Sequence, residues 1–71
     1  MQKKLYFIRK FDFKMTQQEV ANYLGLTLVT YQRKEKGESL FNSNEMFALS
    51  KLFKRDIEEI FIEVERTKEG V

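Results

Sequence analysis

The stretch Gln17–Lys36, QQEVANYLGLTLVTYQRKEK, decides how the rest of the chain folds. Val20, Ala21 and Leu24 share one helical face, Gly25 interrupts the pattern, and Leu26, Thr30 and Tyr31 begin a second buried stripe. Two short helices therefore meet at a tight turn. Ala21 stands at the crossing, where a larger side chain would push the helices apart. Gly25 takes the left-handed conformation that stops the first of them and turns the chain. The second helix is left projecting from the surface.

On the N-terminal side of this unit, Thr16 with Glu19 forms a capping box, each side chain satisfying the other residue's free backbone donor. Thr27 caps the projecting helix, which runs to about Lys36 before Gly37 supplies a left-handed stop. Asn42 with Glu45 repeats the box for a fourth helix, whose apolar stripe is Met46, Leu49 and Phe53, with Phe47 and Leu52 flanking. Asp56 with Glu59 repeats it again for a short last helix, Ile57 to Ile60 or Phe61. Upstream, Leu5 and Ile8, joined by Phe7 or Phe11, mark a first helix from Gln2 to about Lys10, its end blurred by Phe11-Asp12-Phe13. Proline is absent and glycine occurs only at 25, 37 and 70, so nothing else breaks the helical pattern. The spacing predicts an all-α chain of five helices. From Ile60 to Thr67 the period changes: Ile60, Ile62 and Val64 alternate with Phe61, Glu63 and Glu65. This tail reads either as a short C-terminal strand, paired with the N-terminal segment or a second copy, or as a charged terminus.

Seventy-one residues make one domain, here a core of 5–61 and a tail of 62–71, and a chain of this length buries only about 60% of its unfolded surface. The seven Phe and three Tyr supply large apolar area to a small core. Neither Cys nor His is present, which removes disulfides, thiolate sites, the usual transition-metal ligands and most general bases. We expect no catalytic site, no metal and no cofactor. No apolar run approaches the roughly 18 residues of a membrane span, and the apolar segment after Met1-Gln-Lys-Lys is too short for a signal peptide. A cytoplasmic location without membrane association is expected. The formal charge of +2 is unevenly spread: residues 1–37 hold eight Lys/Arg against three Asp/Glu (+5), and residues 38–71 five against eight (−3). A basic half that contains the two-helix unit suits a one-sided, phosphate-facing surface.

Thr16-Gln17-Gln18-Glu19-Val20-Ala21, then Leu24-Gly25-Leu26-Thr27, then Glu35-Lys36-Gly37 are followed at the expected distances by Leu49-Ser50-Lys51-Leu52-Phe53 and Asp56-Ile57-Glu58-Glu59-Ile60-Phe61. In this order they resemble the Cro/CI-type (XRE-like) helix-turn-helix family of phage and bacterial transcription regulators, over about residues 5–61. The resemblance implies a five-helix, lambda-repressor-like DNA-binding domain whose third helix enters the major groove while the second lies across its mouth. On the matching positions Thr27, Leu28, Val29, Gln32 and Arg33 would face the base edges. Arg33 would fork onto a guanine, Gln32 would pair with an adenine, and Leu28 and Val29 would pack on thymine methyls. Gln17 matches a residue that touches a phosphate and braces the recognition helix, with Gln18 a weaker second contact and Lys36, Ser39 and Asn42 near the sugar-phosphate backbone. Arg9 and Glu35 resemble a structural ion pair tying the first helix to the end of the third.

Several positions depart from the family pattern. Arg9–Gln17 is one residue longer than usual, and Phe11 and Phe13 occupy a loop that is generally polar. Tyr31 is bulkier than the usual aliphatic. Lys34 stands where an apolar side chain packs on the core, so it must snorkel or face solvent. Leu28 and Val29 make the reading face apolar, which suits thymine methyls but equally the centre of a protein contact. The expectation is a small phage-type repressor of the Cro sort, acting as a homodimer on a double-stranded DNA operator. The alternative is an interaction module, an antirepressor or antitoxin, that binds another regulator such as a phage repressor through the same fold.

Overall fold

Three of the described helices start where side-chain caps place them. The computed structural model describes residues 1–61. Its elements are α1 (Lys3–Phe7), running on into a π turn (Ile8–Asp12), α2 (Gln17–Leu24), α3 (Leu28–Lys36), α4 (Ser43–Phe53) and α5, described over 57–61. Among the described residues the regular elements are all helical, as the spacing predicts. Ile60 and Phe61, which open the alternating tail, belong to α5 and are buried; the rest of the tail lies outside the described residues.

Both halves of the capping box form at Thr16, where the Glu19 amide donates to Oγ1 (3.0 Å) and the Thr16 amide donates to Glu19 Oε1 (2.8 Å). Asn42 and Glu45 make the same reciprocal pair at 2.8 and 3.0 Å. At Asp56 only the returning half matches expectation: its amide donates to Glu59 Oε1 (2.9 Å), while the Glu59 amide turns to the Asp56 carbonyl (2.9 Å). Such caps each contribute on the order of 1 kcal/mol by satisfying donors that a helix start leaves free.

Leu5, Ile8, Val20, Ala21, Tyr31, Phe41, Leu49, Phe53, Ile60 and Phe61 form one core, drawn from α1, the π turn, α2, α3, α4, α5 and the loop before α4. Ala21 is fully buried, in keeping with its place at the α2–α3 crossing. The first helix differs from the expected pattern. Phe7 and Phe11 are 53% and 54% exposed, so Leu5, Ile8 and Arg9 are its buried face and the two rings stack on each other outside. Phe47, expected beside the α4 stripe, is likewise exposed.

The additional residue between Arg9 and Gln17 has a structural counterpart. In the π turn the Phe13 amide donates to the Ile8 carbonyl (3.0 Å), an i to i−5 bond that takes one more residue into the turn than an α-helix would. Phe13 then tucks against Phe53, ring centroids 5.0 Å apart, beneath the Arg55 guanidinium, which pairs with Asp12 at 2.9 Å. Lys14, at φ 49°, reverses the chain toward α2.

The turn between α2 and α3 rests on Gly25, at φ 74°, with the Leu26 amide donating to the Ala21 carbonyl at 2.9 Å. A Cβ at Gly25 would meet nothing within 4 Å, so the requirement is one of backbone conformation alone. Gly25→Ala should therefore destabilise the fold by about 1–2 kcal/mol, the left-handed penalty of an L-residue, seen as a Tm loss of roughly 4–8 °C per kcal/mol in a chain of this size. Gly25→Asn should lose less, because Asn tolerates that region better. Equal Tm values for wild type and Gly25→Ala would refute this account of the turn.

Candidate nucleic-acid interface

Of the nine residues of α3, LVTYQRKEK, only Tyr31 and Glu35 are buried, so the helix has little apolar surface with which to hold its place. Directional polar contacts substitute. Glu35 accepts from Arg9 Nε on Oε2 (2.8 Å) and from Arg9 Nη2 on Oε1 (3.2 Å), a two-pronged pair in which both side chains are nearly inaccessible. Gln17 Nε2 adds a bond to Oε1 and Tyr31 Oη one to Oε2, both 2.8 Å. Arg9 spends its remaining amino group on the Met15 carbonyl (2.9 Å), and Gln17 Oε1 accepts from Gln32 Nε2 (3.0 Å). One carboxylate thus connects the π turn after α1, α2 and α3. The Gln2 amide, donating to the Glu35 carbonyl at 2.9 Å, fastens the N-terminus to the same turn.

Burial alone would push the Glu35 carboxyl up, but hydrogen bonds from Arg9, Gln17 and Tyr31 outweigh it and hold the group below its ordinary value. Burial likewise opposes the Arg9 charge, and the Glu35 carboxylate overcomes it, so the guanidinium pKa is raised. Burial and then the adjacent Glu35 charge push the Tyr31 phenol upward, fixing it as a hydroxyl donor.

A second pair holds the neighbouring residue. Lys34 Nζ lies 2.6 Å from Glu45 Oε1, both side chains almost enclosed, with the ammonium 5.9 Å from the Phe41 ring centroid. Lys34 therefore neither faces solvent nor merely snorkels at its core-facing position. Its charge is met by the carboxylate oxygen that also closes the α4 cap, accepting from the Asn42 amide.

The opposite side of α3 is open. Val29 is 56% exposed, Thr27 and Arg33 are exposed, and Leu28 and Gln32 are half-buried. Thr27 is the N-cap, its Oγ1 accepting from the Thr30 amide at 3.2 Å. Of the remaining positions suggested by resemblance, Gln18 is exposed and donates to Asn22 Oδ1 (3.0 Å), while Lys36 and Ser39 are exposed around the Gly37 stop. Asn42 sits at the N-cap of α4 with its side-chain oxygen committed there. The structure thus joins Gln17, Gln32, Arg9 and Glu35 in one network and leaves Lys36, Ser39 and Asn42 as separate surface positions.

Two roles are not evident from the sequence. Tyr31 reads there only as a core residue, yet its spacing of four from Glu35 puts a phenol within reach of a carboxylate on one helical face. Glu45 reads only as a cap, although a lysine at a core-facing position requires an anion nearby. Among the described residues no group of His, Cys, Asp and Glu could hold a metal ion, and no helix is long and apolar enough to cross a membrane. A family model described as helix-turn-helix matches residues 5–60. No curated protein and no solved structure matches the chain.

The network carries a pH signature. Since the folded-state pKa of Glu35 is depressed, its contribution is complete above the ordinary carboxylate value of 4.5 and is lost as pH falls through the folded value. Tyr31→Phe keeps the ring and deletes one donor to a charged acceptor, which should cost about 1.5–3 kcal/mol near pH 7. Urea denaturation from pH 7 to 3 should show this deficit narrowing below about pH 4.5 as Glu35 protonates. A deficit that stays constant to pH 3 would place the Tyr31 effect elsewhere.

Proposed function

The chain belongs to the Cro/CI-type (XRE-like) helix-turn-helix family, and from that premise we propose that it is a sequence-specific repressor of the Cro sort, acting by occupying an operator. The family is one of DNA-binding transcriptional regulators rather than enzymes. Two copies of the chain would bridge the half-sites of a partly palindromic duplex one helical turn apart, in the cytoplasm.

What carries the reading is the combination of a fixed inner side and an open outer side on one helix. Glu35 ties α3 to the π turn and to α2, with Tyr31 buried beside it, while Val29 and Arg33 project from the opposite side with Leu28 and Gln32 between. A helix held in this way presents side chains to base edges at a constant angle. Gln32 has its amide donor engaged by Gln17, so in this reading it offers adenine a pre-oriented group held through the α2 start. Gln17, Gln18, Lys36, Ser39 and Asn42 take the backbone, and Thr27, Leu28, Val29, Gln32 and Arg33 the bases.

The exposed rings of Phe7 and Phe11, with Val29, support a second reading in which the chain captures another regulator as an antirepressor or antitoxin. Light scattering of the chain with a repressor encoded beside its gene separates the two, since a stable heterocomplex formed without DNA belongs to the second alone.

Anisotropy titrations against the intergenic DNA beside the chain's own gene should give a Kd of about 10⁻⁸ M or tighter at physiological salt, weakening steeply as salt rises. Arg33→Ala should lose about 1–3 kcal/mol of preference at one operator position, whereas Lys36→Ala should weaken binding to all sequences alike, and Gln17→Ala, which also frees Gln32, should do both. Weak binding without sequence preference and insensitive to salt would overturn the proposal.

A further inference from the structure

Between α1 and the approach to α2 lies an open cleft of about 530 Å³ whose lining includes Tyr6, Arg9, Lys10, Lys14 and Gln17. Its lining holds three cations and no carboxylate. Arg9 is neutralised by Glu35, so the uncompensated charge is that of Lys10 and Lys14, neither of which forms an ion pair among the described residues. Lys10 leans over the Tyr6 ring, 5.5 Å from its centroid, and Lys14, at φ 49°, lines the same cleft. The cleft is continuous with the proposed reading surface through one residue. Gln17 lines it and accepts a hydrogen bond from Gln32 of α3 at 3.0 Å.

We propose that Lys10 and Lys14 form a phosphate clamp outside the helix-turn-helix unit, gripping the DNA backbone that flanks the bases read by α3. The inference rests on the DNA-binding reading and extends the footprint onto the α1 shoulder. The π turn is what makes the shoulder: it carries the chain past Lys10 and returns it through Lys14, so that cations four residues apart in sequence flank a single concavity. Clustered like charges without a counterion repel one another. A duplex backbone with one phosphate per strand every ~3.4 Å relieves that repulsion and releases condensed counterions as it does so.

The test uses the full chain and a mixed-sequence duplex of about 24 base pairs, because backbone contacts are independent of sequence. The slope of log Kobs against log salt is measured for wild type, Lys10→Gln, Lys14→Asn, the double variant and Lys51→Gln on the exposed side of α4. Asn is chosen at position 14 because it accepts the positive φ, and circular-dichroism melts verify that each variant is folded. Each single substitution should lessen the slope by about 0.9 and the double by about 1.8, with Lys51→Gln unchanged. Wild-type slope in a folded double variant would overturn the clamp while leaving DNA binding intact. If the unaltered chain binds no duplex at low salt, the DNA reading falls and the clamp falls with it.

Discussion

The buried contact between Arg9 and Glu35 is the constraint on which the other features depend. Glu35 is one of only two buried residues of α3, and its carboxylate is the common acceptor for donors from the π turn, α2 and α3 itself. Two charges removed from water cost several kcal/mol each, a cost offset only where geometry is good and the remaining lone pairs are satisfied. Here they are: Glu35 receives Arg9 twice, Gln17 and Tyr31, and Arg9 gives its remaining amino group to Met15. Removing one partner of such a pair costs about 3–5 kcal/mol, comparable to the stability a core of this size supplies. The pair therefore sets both whether α3 is held and at which angle.

The Lys34–Glu45 contact adds a restriction that a single pair would not impose. Lys34 and Glu35 are consecutive, of opposite sign, and meet opposite charges on different sides: Glu45 of α4 and Arg9 of the π turn. Turning α3 by one residue in either sense, about 100°, would bring Lys34 or Lys36 toward Arg9 and take Glu35 away from its donors on the π turn and α2. An apolar stripe would resist such a rotation less sharply, because one aliphatic side chain substitutes for another at modest cost. Charge alternation along α3 thus specifies orientation, which is the property a helix that reads base edges requires.

Most of the architecture is legible in the sequence because its punctuation is local. The Thr16–Glu19 and Asn42–Glu45 boxes, Gly25 and Gly37 each announce a helix end through chemistry confined to about four residues, and the structure places the ends there. The 9–35 pair is legible through resemblance. The Gln17–Gln32 bond and the Lys34–Glu45 bridge are not, because each depends on how two helices cross, and periodicity specifies a face without specifying what opposes it. Phe7 and Phe11 mislead for a related reason. Apolar character argues for burial, yet along α1 and the π turn the inward position belongs to Arg9, which has a partner, and the two rings remain outside.

The additional residue near the end of α1 shows how the same constraint governs what the fold tolerates. Leu5, Ile8 and Arg9 must keep one helical register if Arg9 is to reach Glu35, so an insertion before Arg9 would rotate the guanidinium by about 100° out of the interior. The residue is instead accommodated by the i to i−5 bond between Phe13 and Ile8, which lets Arg9 face inward and displaces only the segment between the π turn and α2. The displaced segment then finds contacts of its own, Phe13 against Phe53 and Asp12 with Arg55. The widened turn is the solution that adds length to the surface without disturbing the ion pair, and its outer side is the part of the molecule free to differ in charge and in what it touches.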